Sequence, residues 1–88
     1  MGAIHRDFTC TATQQLISDE NVLRQYCLLA NDGDATIYLG LDMPAQSNKG
    51  IPLNANGGSY EINLTNPFKG RIYAIGDATG PKLMVTEW

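Results

Sequence analysis

Ser59-Tyr60-Glu61-Ile62-Asn63-Leu64 alternates without a break, placing Tyr60, Ile62 and Leu64 on one face of an extended chain and Ser59, Glu61 and Asn63 on the other. A period of two is the mark of a strand with one buried face. Turn-forming clusters bound it, Asn54-Ala55-Asn56-Gly57-Gly58 before and Thr65-Asn66-Pro67 after. Similar packets recur on both sides: Tyr38-Leu39-Gly40-Leu41, Gly50-Ile51-Pro52-Leu53, Gly70-Arg71-Ile72-Tyr73-Ala74-Ile75 and Leu83-Met84-Val85-Thr86-Glu87-Trp88. Short runs rich in Ile, Val, Tyr and Thr, divided by Gly, Asn, Asp and Pro, read as an all-β protein. The expected architecture is a small antiparallel β-sandwich of about seven short strands, jelly-roll or Ig-like.

Individual segments add detail. Gly50-Ile51-Pro52-Leu53 must form an edge strand, because Pro52 has no N–H to give a central ladder. The polar stretch 42–49 before it is too long for a tight turn and reads as an exposed loop. Upstream, Val22 to Asn31 is apolar on both parities, as in a strand covered on both faces. It runs into Asn31-Asp32-Gly33-Asp34 and then Ala35-Thr36-Ile37-Tyr38-Leu39, which together read as a hairpin. Phe8-Thr9-Cys10-Thr11-Ala12-Thr13 reads as a strand with Phe8, Cys10 and Ala12 inward, and residues 14–19 either extend it or make one helical turn. Residues 1–7 show no alternation and are expected to be a flexible N-terminal arm, leaving 8–88 as a single domain.

Taken in order, Asn31, Ile37-Tyr38-Leu39-Gly40, Gly50-Ile51-Pro52-Leu53, Gly57-Gly58-Ser59-Tyr60-Glu61, Gly70-Arg71-Ile72-Tyr73-Ala74-Ile75 and Leu83-Met84-Val85-Thr86-Glu87-Trp88 resemble small virion proteins of tailed phages. The resemblance runs from Arg24 to Trp88 and rests on order and spacing rather than on any one packet. It implies a β-sandwich structural protein of the virion, a capsid decoration or minor head protein, assembled in the host cytoplasm. A tail or fibre-base component is the neighbouring reading. The implied partners are a phage capsid or tail protein and further copies of the chain.

Composition agrees with a binding rather than a catalytic role. A chain of 88 residues has room for one core, and a domain so small buries only about two thirds of its unfolded surface, so it gains from assembly. Hydrophobic residues make up 43% and charged residues 17%, with nine Gly and four Pro, which suits an ordered, turn-rich domain. Nine acidic residues outnumber six basic ones, and the basic ones are scattered, so no positive patch offers itself to nucleic acid or to an anionic membrane. No apolar run reaches bilayer length and residues 1–7 lack the apolar centre of a secretory signal, so a cytoplasmic site of synthesis is expected. The Met1-Gly2 start lacks the Ser or Thr at position 6 that myristoylation requires, since Arg6 stands there.

Sites for chemistry are few. His5 is the only histidine and lies in the expected arm, so no catalytic base is in prospect and the chain reads as a non-enzyme. Asn31, Asp32 and Asp34 offer oxygen ligands but too few carboxylates for a calcium loop, and they read as turn residues. Neither Gly57-Gly58-Ser59 nor Gly76 to Gly80 leads into a helix, as a phosphate loop must. No cofactor is expected. Cys10 and Cys27 lack metal or redox spacing and read as packed free thiols, with oxidation to a bridge the lesser reading.

Aromatic residues remain. Tyr26, Tyr38, Tyr60, Tyr73 and Trp88 could stack on sugars, which makes a glycan-binding adhesin module the second functional reading. Core or subunit contacts are the commoner use of such residues in a sandwich. The closing segment 82–88 is apolar on both parities and ends in Trp88, so one face of it needs cover from elsewhere. The expected protein contacts are therefore His5 and Arg6 of the arm with Leu83, Met84 and Trp88 of the closing strand.

Overall fold

The computed structural model describes residues 3–77 and 80–88. Eight strands follow one another: β1 Ile4–Thr9, β2 Gln15–Ser18, β3 Cys27–Asn31, β4 Ile37–Leu41, β5 Ile51–Leu53, β6 Ser59–Ile62, β7 Ile72–Gly76 and β8 Lys82–Glu87. They form two antiparallel four-stranded sheets, β1-β8-β3-β6 and β2-β7-β4-β5. Among the described residues there is no helix, and hence none long and apolar enough to cross a membrane.

The pairing follows one rule. β4 pairs with β5, β3 with β6, β2 with β7 and β1 with β8. The chain is thus one long hairpin bent at the β4–β5 loop and wound so that successive pairs alternate between sheets, which is the jelly-roll arrangement. Every other connection crosses from one sheet to the other.

This topology corrects the hairpin expected at residues 31–34. β3 and β4 lie in opposite sheets, and the turn between them serves as a corner. Asn31, fully buried, fixes it: its Nδ2 donates to Ala35 O at 2.7 Å and Leu53 O at 3.0 Å, and its Oδ1 accepts from Gly33 N at 2.9 Å. Asn31 therefore spends its amide on backbone rather than offering it as a ligand.

The N-terminus is also corrected. Residues 4–7 are the first four of the six residues of β1, in register with β8 from Ile4 opposite Glu87 to Thr9 opposite Lys82. They belong to the fold and not to an arm; Met1 and Gly2 lie outside the described residues. Phe8 does face the core, but Ala12 is exposed and Cys10 ends the strand rather than continuing it. Likewise, only 27–31 of the apolar 22–31 segment is strand, and Val22 and Leu23 are exposed. The edge position expected for Pro52 is observed, with β5 bordering only β4.

Alternation builds the core. Cys27, Leu29, Ile62, Leu83 and Val85 from one sheet meet Ile17, Ile37, Leu39, Leu53, Ile72 and Ala74 from the other. Each fully buried aliphatic side chain contributes about 1.5–3 kcal/mol. Cys10 and Cys27 are buried free thiols in this layer. Burial raises the pKa of both, that of Cys27 to about 11 with help from the nearby Glu87 charge.

Candidate functional site

Register decides which residues can be reached. On β8, Leu83, Val85 and Glu87 point between the sheets while Lys82, Met84 and Thr86 point out. Leu83 is completely buried, so its expected place at an interface is corrected: it is a core residue, fixed there by the alternation of its own strand. Arg6, opposite Val85, also points inward. Its guanidinium bonds Glu87 and, at 3.4 Å, the Ile17 carbonyl, so it ties the sheets together rather than reaching for a partner.

His5, Met84 and Trp88 do face outward on the β1-β8-β3-β6 sheet. His5 Nδ1 lies 2.9 Å from Thr86 Oγ1, its cross-strand neighbour. Met84 is 42% exposed and Trp88 48%. Trp88 is not loose: its ring stacks on Tyr26 with centroids 4.4 Å apart and planes 19° apart. Backbone bonds clamp it from both directions, Trp88 N to Tyr26 O at 3.1 Å and Gln25 N and Tyr26 N to Trp88 O at 2.9 and 3.2 Å. A hydrogen bond with Glu61 raises the Tyr26 phenol pKa and places an acidic group beside the stacked pair. Leu28 and Ala30, half-buried, complete this outward surface beside Thr86 and Met84. Charges border it, with Lys82 Nζ 3.5 Å from the Asp7 carboxylate.

The sequence reading missed the polar centre inside the sandwich. Arg24 is 2% exposed and uses every nitrogen: Nε to Glu87 Oε2 at 3.0 Å, Nη1 to Phe68 O and Gly70 O at 3.0 and 3.1 Å, and Nη2 to Ser18 Oγ and Asp19 O, both at 2.9 Å. Ser18 Oγ in turn donates to Glu87 Oε1 at 3.0 Å. Planar five-donor geometry suits Arg to such a hub. The signal available in sequence was an Arg inside the apolar run Val22-Leu23-Arg24-Gln25-Tyr26-Cys27, with Glu87 on the inward parity of the closing strand. At the surface nearby, Arg71 Nε bonds Asp19 Oδ1 at 3.0 Å and holds that carboxyl below its ordinary pKa.

The opposite sheet presents a different outer face. Leu16, Tyr38, Gly40, Pro52, Tyr73 and Ile75 occupy its outward positions, none of them charged. Loop residues fold over Gly40, where a Cβ would strike Met43 O and crowd Ala45. At the β4–β5 end lies a half-open, mainly apolar pocket of about 280 Å³ lined by Leu39, Leu41, Met43, Pro44 and Ile51, with Gln46 and Lys49 also on its wall.

Among the described residues, no group of three or more His, Cys, Asp or Glu could hold a metal ion. The chain matches no protein-family model, no curated protein and no solved structure.

Proposed function

We propose that this chain is a structural component of a tailed-phage virion, a head decoration or minor head protein. In this reading it docks on the particle through the outer face of the β1-β8-β3-β6 sheet. The observation that supports it is Trp88: a large aromatic ring, 48% exposed, held rigidly by stacking on Tyr26 and by three backbone bonds, with exposed Met84 on the same face. A preorganised aromatic with a charged border is the form that binding anchors take, since little side-chain entropy is lost on docking. Copies repeated on a symmetric particle multiply a modest single contact into avid attachment. The order of segments that resembles phage virion proteins supplies the particle.

The experiment is co-sedimentation of the purified chain with phage particles stripped of it. Wild type is expected in the particle fraction, with Trp88→Ala and Met84→Lys remaining in the supernatant although folded. Binding unchanged in both variants, or recovery of wild type only on a glycan array, overturns the reading.

A further inference from the structure

We propose that the outer face of the β2-β7-β4-β5 sheet is a self-association surface, on which a second copy of the chain packs face to face. This goes beyond particle docking, which uses the opposite sheet, and does not depend on it.

The outward strand positions of this sheet are Leu16, Tyr38, Gly40, Pro52, Tyr73 and Ile75. Leu16 is 45% exposed, and Met43, 60% exposed, rises from the loop that covers Gly40. The other sheet carries Asp7, Lys82 and Glu61 at outward positions. One broad face is therefore charged and the other has no charge on any strand. Depletion of charge with enrichment of Tyr and Met is the composition of interface centres.

Three observations select a second copy as the occupant. First, the molecule is acidic, with a formal charge of -3, so copies meet at least cost through a face whose strands carry no charge, with Arg71 and Lys49 only at its rim. This is the sheet face that meets that condition, and a two-fold axis makes it its own complement. Second, size leaves little choice. The two longer extents of the molecule, 34 and 23 Å, bound any flat contact at roughly 800 Å², and a stable dimer uses about 800 Å² per partner. A whole sheet face is needed, and no loop tip suffices. Third, the edges of this sheet are defended: Pro52 interrupts donors on β5 and a register shift between Leu16 and Ser18 distorts β2. Edge-to-edge addition is blocked, which leaves the face.

Sedimentation equilibrium of the full 88-residue chain tests this. Wild type is expected to dimerise below roughly 100 μM, with Leu16→Lys and Ile75→Lys each raising the dimer Kd by about tenfold or more. Met84→Lys and Trp88→Ala, on the far sheet, are expected to leave the dimer intact, so loss of particle docking and loss of dimerisation separate. Ile75 is half-buried; if its Lys variant does not fold, Leu16→Lys on the exposed edge strand decides. A wild type that stays monomeric, a dimer unaffected by Leu16→Lys, a dimer abolished by Met84→Lys, or a monomer that instead binds glycan through Tyr38 and Tyr73 each overturns the proposal.

Discussion

Arg24 donates from Nε to Glu87 Oε2 at 3.0 Å, in a place where the Arg24 side chain has no exposed surface at all. Glu87 also receives Arg6, so one carboxylate serves two guanidiniums between the sheets. Desolvating such ions is costly, and the arrangement persists because backbone carbonyls of Asp19, Phe68 and Gly70 absorb the remaining donors. The gain is positional: one side chain fixes the loops after β2 and before β7 against the closing strand.

Removing Glu87 alone therefore strands one fully buried cation, Arg24, and leaves the partly exposed Arg6 without its carboxylate. Glu87→Leu is expected to lose about 3–5 kcal/mol of stability in urea unfolding. Arg24→Met/Glu87→Leu together should lose clearly less than the two single losses added, because the fully buried charge goes with its partner and only the partly exposed Arg6 is left to solvent. Strict additivity would show that the pair is not coupled.

The N-terminal residues give a second test. Deleting residues 1–6 removes half of β1 and the Arg6–Glu87 ion pair, so calorimetry should show a melting temperature lowered by at least about 5 °C, which corresponds to roughly 1 kcal/mol in a domain of this size. An unchanged transition would mean that β1 contributes nothing to stability in solution.

Trp88→Ala should leave the chain folded. The ring is half-exposed, so what is lost within the molecule is the stack on Tyr26, about 0.5–1.5 kcal/mol beyond area burial. Near-ultraviolet dichroism and thermal melting report this, and global unfolding would place Trp88 in the core after all.

Alkaline pH should weaken the fold through its buried thiols. Cys27 is raised from its ordinary 9.0 to about 11, and Cys10 is raised too. Above pH 9 an unfolded thiol releases its proton while the folded Cys27 keeps it, so the unfolded state binds fewer protons and stability falls as pH rises from 9 to 11. The slope from one such group is at most about 1.4 kcal/mol per pH unit. Urea midpoints measured across this window should decline in wild type and decline less in Cys27→Ala; parallel slopes would refute the assignment.

Gly50 enters β5 with φ of +82°, and a Cβ there would collide with the Leu39 carbonyl oxygen. Gly50→Ala is expected to lose about 1–3 kcal/mol. Gly57, also at positive φ but with open space around it, should lose less. Equal losses at the two positions would remove the steric part of this account.

The strands were legible in the sequence where one face is buried and turns bound the run. Ser59–Ile62, Ile72–Gly76 and Lys82–Glu87 all lie within packets visible from alternation and turn residues alone. Pro52 marked its edge by chemistry rather than pattern. What alternation cannot encode is which sheet a strand joins. Asn31-Asp32-Gly33-Asp34 has hairpin residues, yet it turns a corner between sheets because buried Asn31 bonds the Ala35 and Leu53 carbonyls. β1 was hidden because its inward positions include Arg6, whose partner, Glu87, stands 81 residues away. Of the expected contact residues, Met84 and Trp88 kept their exposure, whereas Leu83 did not because parity within one strand separates neighbours.

The position of β8 bears on when the protein can fold at all. It is the eighth of the eight strands in chain order, yet it sits between β1 and β3. A nascent chain that has not reached residues 82–87 leaves β1 with no neighbour in its sheet and Arg24 without its carboxylate. Folding of this sheet must wait until residues 82–87 have emerged, as expected where nearly all pairings are remote in sequence. The closing strand thus acts as a built-in inspection step: a product truncated before residue 82 keeps a bare strand and an uncompensated cation, and is presented to cellular proteases unfolded.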